Sequence, residues 1–172
     1  MNIENKNLFL VVLVTLFFVL CGPILLPSWR LIFFAPLLVI MYYKKPLVSC
    51  LWISCLCGLM LDLLSSQVHF GLYASCYTLT TALLYSQRYN FFADSISTLP
   101  LMTFFFSVLS TLIQWGMVYA FEQKSAFSLQ WIATDLIYMP FMDASYAFIL
   151  FVIPNLFFGK RIRRGSDYFV ER

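Results

Sequence analysis

Pro, Gly and charged positions cut this chain into six apolar runs, at 8–26, 31–43, 47–66, 71–88, 98–121 and 136–158. A helix that crosses a bilayer needs about 20 mainly apolar residues, and most of these runs are that long. The pattern predicts an all-α fold, a polytopic membrane helix bundle with six transmembrane segments. The second run is the exception, since its residues span only about 20 Å at 1.5 Å per residue. Pro36 shortens its regular part further. It is either a short tilted helix or a re-entrant one that dips in and returns.

Lysines and arginines in short loops set orientation. With six crossings and a cytoplasmic N-terminus, Lys6, Lys44, Lys45, Arg88 and the tail cations lie inside, against Arg30 and Lys124 outside. With a re-entrant second run and an external N-terminus, Lys6 and Arg30 exchange sides and the bias is unchanged. Five and six crossings therefore stay open. Both place the third run outward, the fourth inward, the fifth outward, the sixth inward and the C-terminus in the cytoplasm. The first run is longer than a secretory signal core and is followed by no small-x-small site, so it is expected to be a retained helix.

Composition removes the soluble alternatives. Hydrophobic residues make up 62% of the 172 and charged residues 11%, whereas globular domains run at about 45–50% and about 25%. Six crossings take about 120 positions, so residues 1–172 are expected to form a single integral membrane domain, with 159–172 as a basic cytoplasmic tail. The net charge of +3 is concentrated at Lys160, Arg161, Arg163 and Arg164. That cluster is expected at the membrane surface, where it marks a cytoplasmic helix end and attracts anionic lipid headgroups. It does not read as a nucleic-acid patch.

The five cysteines, Cys21, Cys50, Cys55, Cys57 and Cys76, fall inside apolar runs and read as small hydrophobes. Cys55-x-Cys57 lacks the spacing and partners of a zinc site, and neither metal nor cofactor is expected. Trp29, Trp115, Trp131, Tyr42, Tyr43, Tyr85, Tyr89 and Tyr119 lie mostly near run ends, where amphipathic rings suit the headgroup layer. No HExxH, GxSxG, Walker or Gly-rich dinucleotide motif is present, and no catalytic residue is assigned.

Polar residues within the runs are the informative ones, because an acid in hydrocarbon is costly unless paired or wetted. Asp62 falls about one turn from the outer end of the third run, Asp143 about two turns into the sixth, and Gln114 about two turns from the outer end of the fifth. All three are expected in the outer membrane half at comparable depth. Asp62 reads equally as a functional membrane acid or as a cap for the next helix. Pro140 loosens the turn before Asp143 and leaves backbone donors for its carboxyl group. Gln114 reads as an interhelical hydrogen bond, His69 as a solvated loop residue, and Asp135 and Glu122 as loop or interface residues. Gly58 and Gly71 are expected to let backbones approach closely. The third and fourth runs, with their serines and threonines, are the expected packed centre.

The stretch 58–77, GLMLDLLSSQVHFGLYASCY, resembles the signature of the rod shape-determining protein MreD family. That signature runs Gly, two or three apolar residues, Asp-Leu-Leu, a short polar loop, then Gly-Leu and an aromatic a few residues on. Gly58, Leu61, Asp62, Leu63, Leu64, Gly71, Leu72 and Tyr77 occupy those positions, while His69-Phe70 departs from the family's usual loop. The resemblance implies a non-enzymatic scaffold of the bacterial inner membrane. It also implies association with an MreC-like membrane protein and, through it, with the MreB filament and peptidoglycan synthases. The fold implied is like that of the substrate-binding subunits of energy-coupling-factor vitamin transporters. Such a transporter subunit is the alternative function, although 8–19 is bulky throughout and lacks a small-residue docking stripe.

Overall fold

The computed structural model describes residues 5–25, 31–65, 70–87, 98–122 and 132–152. Among them every regular element is helical, one at each apolar run: α1 (Asn5–Leu25), α2 (Ala35–Lys44), α3 (Leu47–Leu64), α4 (Leu72–Gln87), α5 (Thr98–Glu122) and α6 (Ile132–Val152). Three of these, α3, α5 and α6, are long and apolar enough to cross a membrane. Helix α6 is α-wound at Met139–Ala147 and π-wound on either side, at Ile132–Tyr138 and Phe148–Val152. It starts four residues earlier than its hydropathy suggests. Asp135, expected as a loop or interface residue, falls in its first turn, where free N–H groups favour an acid.

Helix α3 is more polar on its buried side than on its exposed one. It buries Cys50, Ser54, Cys57, Gly58 and Asp62 and exposes Val48, Trp52, Leu56, Met60 and Leu63. Water would favour the reverse arrangement; hydrocarbon permits this one, because small and polar groups bring helices together and apolar chains meet lipid. Two of the buried hydroxyls are satisfied within their own helices, Thr80 onto the Cys76 carbonyl at 2.7 Å and Thr103 onto the Leu99 carbonyl at 2.7 Å.

The enclosed element is α2. Every residue from Ala35 to Tyr42 is buried, with α1, α3 and α5 packed around the helix. Pro36 is tolerated in its first turn, where an N–H has no helical partner. Ten residues reach about 15 Å, half the hydrocarbon thickness of about 30 Å. Its C-terminal end meets the start of α3: Cys50 donates its thiol to the Met41 carbonyl at 3.4 Å, and the Tyr85 hydroxyl reaches the Lys45 carbonyl at 3.3 Å. Helix α4 packs against α3 and α5, and α6 lies along α5.

Two expectations change here. The α3–α4 pair is intimate but is not the centre, because the short second run is surrounded by protein while α3 keeps a lipid-facing side. Tyr42 is not a headgroup anchor. It is fully buried and shares a 3.0 Å hydrogen bond with Thr81 of α4. Trp29, His69, Tyr89, Trp131 and the basic residues Lys160, Arg161, Arg163 and Arg164 lie outside the described residues.

Candidate functional site

The motif 58–77 forms a hairpin whose two helices are locked by three of its residues. Gly71 precedes α4 with φ of +93°, a conformation that disfavours side chains. It offers no side chain to cap the helix it introduces, and the first N–H groups of a helix have no intrahelical partner. Asp62 reaches across from α3 to supply the cap. Its Oδ1 accepts from the Tyr73 N–H at 3.0 Å and its Oδ2 from the Ala74 N–H at 3.1 Å. Asp62 is 6% exposed, and its carboxyl group sits at the positive end of the α4 dipole. Of the two readings open for Asp62, the cap is the one seen.

Gly58, one turn before Asp62, permits the approach. A Cβ there would meet the Ala74 backbone, with its Cα closest and its N at 2.7 Å, and the Tyr73 carbonyl oxygen at 2.7 Å. Gly71 does not share that role; nothing lies within 4 Å of a Cβ built on it, and its contribution is the turn. Tyr77 is buried, edge-on to Phe106 of α5 with centroids 5.5 Å apart. Leu63 and Leu64 point outward, 75% and 54% exposed. The motif therefore splits into an inward set that fixes the hairpin and an outward apolar pair.

Asp143 makes a second junction. It lies near the middle of α6, fully buried. Its Oδ1 accepts from the Ile32 N–H at 2.8 Å, and its Oδ2 from the Ser107 hydroxyl at 2.6 Å. Ile32 opens the turn that leads into α2, closed by the Ala35 N–H on the Ile32 carbonyl at 3.0 Å. The backbone donor expected for Asp143 exists, but it comes from the entry of α2 rather than from the turn that Pro140 loosens. Aromatic rings seal the junction: Tyr146 meets Phe18 of α1, Phe33 of the entry turn and Phe151 of α6 edge-on, at 5.8, 5.6 and 6.3 Å. The Phe33 ring in turn covers Gly22 of α1.

Sequence reasoning missed Ile32, Ser107 and Tyr146, because nothing local marks a serine or a backbone amide as the partner of a distant acid. Gln114 is half-buried, and among the described residues its amide makes no hydrogen bond. It lies seven residues beyond Ser107, about 10 Å along α5, so it does not share the level of Asp143. The two carboxyl groups bond to different partners, and none of the described hydrogen bonds joins them. All five cysteines are free thiols. Among the described residues no group of three His, Cys, Asp or Glu side chains is placed to hold a metal. Comparison with protein-family models, with curated proteins and with solved structures finds no match to this chain.

Proposed function

We propose that this protein is a non-enzymatic membrane scaffold of the MreD kind, working in the bacterial cell-elongation machinery. It would sit in the cytoplasmic membrane as a multi-pass bundle of six segments, the second of them short, with its basic tail in the cytoplasm. Its direct partner is an MreC-like membrane protein; the MreB filament and peptidoglycan synthases are reached through that complex. The observation that carries the reading is the division of labour within the motif. Gly58, Asp62 and Gly71 hold the hairpin rigid, while Leu63 and Leu64 stand on its outer side. A scaffold needs that combination of a fixed backbone and a side open to a partner helix.

The transporter alternative calls for a central cavity with convergent polar groups. Here the middle of the described bundle is filled by α2, whose buried residues from Ala35 to Met41 are all apolar. The test is crosslinking in native membranes followed by identification of the captured proteins. An MreC-like protein is the expected product, lost when Leu63 and Leu64 are both changed to Ser. Capture of a coupling ATPase in its place would overturn the scaffold reading.

A further inference from the structure

We propose that Asp143 is a latch that seats α2 in the bundle, and that Tyr146 takes over as its donor when α2 is released. Phe33 packs the entry of α2 against Tyr146 and Gly22, but among the described residues no other side chain is seen to hydrogen-bond to that entry. Phe34 stands at its N-cap with no side-chain hydrogen bond, and Pro36 in its first turn carries no N–H. The side chain that fixes the entry turn is Asp143, 111 positions away, itself held by Ser107. Beyond the turn, Leu37, Leu38, Val39, Ile40 and Met41 are buried on all sides but bring no polar side chain, so their packing resists displacement without fixing a register. At the far end Tyr42 bonds to Thr81, and the Met41 carbonyl accepts from the Cys50 thiol.

The junction also contains a spare donor. Among the described residues the buried Tyr146 hydroxyl has no hydrogen-bond partner, and its residue follows Asp143 by three positions, on the same face of α6. An acid that loses the Ile32 N–H in a buried site needs a replacement, and Tyr146 is the group placed to give one. The α-wound block carrying both residues is bounded on either side by π winding, a departure from the regular helix that is frequent at functional sites. Two arrangements of one carboxyl group, with Ile32 or with Tyr146, make α2 a bistable element.

The test is hydrogen–deuterium exchange of the full-length chain in lipid nanodiscs, read by mass spectrometry. Asp143→Ala is expected to raise exchange across Ala35–Lys44 about tenfold, and Ser107→Ala about threefold, with Leu47–Leu64 and Leu72–Gln87 unchanged. Adding Tyr146→Phe to Ser107→Ala is expected to return α2 exchange to the wild-type level. Unchanged α2 exchange in Asp143→Ala overturns the latch, as does an equal rise in α3 and α4. A double variant that exchanges as fast as Ser107→Ala alone overturns the role of Tyr146.

Discussion

Asp62 and Asp143 are aspartates of the same kind of place: each lies within an apolar run, each is buried, and each accepts a backbone N–H near the start of another helix. They differ in reach. Asp62 bonds to residues 11 and 12 positions on, so its cap forms whenever the α3–α4 hairpin closes. Asp143 bonds across 111 positions to Ile32 and across 36 to Ser107, so its junction exists only when α2, α5 and α6 have assembled. The first carboxyl group makes a local unit rigid, and the second reports and secures tertiary assembly. The difference teaches that a membrane acid has to be read through its donors, since depth and burial alone make these two look alike.

The sharpest way to break the hairpin side of the comparison is steric. Gly58→Ala places a Cβ against the Ala74 backbone, which cannot rotate away as a side chain could. It is expected to lower stability by about 3 kcal/mol, measured by denaturant titration of the full chain in mixed micelles. Asp143→Ala comes next, at about 2–3 kcal/mol, because it leaves both the Ile32 N–H and the Ser107 hydroxyl without their buried acceptor. Asp62→Ala removes a helix cap and is expected to cost about 1–2 kcal/mol, with Asp62→Asn, which keeps one acceptor oxygen, losing about half as much. A larger loss for Asp62→Ala than for Asp143→Ala would reverse the ranking of local cap and long-range junction. The smallest effect sharpens the contrast by its sign. Gly116 on α5 has open space around a built Cβ, so Gly116→Ala is expected to stabilise by about 0.5–1 kcal/mol through helix propensity.

The positions of the helices were legible because hydropathy reports where the chain meets hydrocarbon. What surrounds each helix was not. A run such as 31–43 has the same composition whether lipid or protein encloses it, so its reading as a short tilted or re-entrant helix did not reveal that α2 is the buried core element. The α6 start was missed because Ala133, Thr134 and Asp135 resemble a loop by polarity, while an acid in a first turn is favourable. In the site, the Asp62 cap was one of two readings that local rules offered, since its donors follow within the same hairpin. The Gly58 approach was also foreseen, but Gly71 was given the wrong role: a glycine's sequence context does not distinguish a close contact from a positive φ. The Asp143 junction lay beyond reach, because its partners are set by how α2 and α5 pack and not by any spacing along the chain.

The most direct test sets the two carboxyl groups side by side, with residue-resolved hydrogen exchange on Asp62→Ala and Asp143→Ala in the same nanodisc preparation. If one is a local cap and the other a long-range junction, Asp62→Ala speeds exchange at Tyr73 and Ala74 and leaves Ala35–Lys44 protected, while Asp143→Ala does the opposite. Matching exchange maps for the two variants would contradict that division.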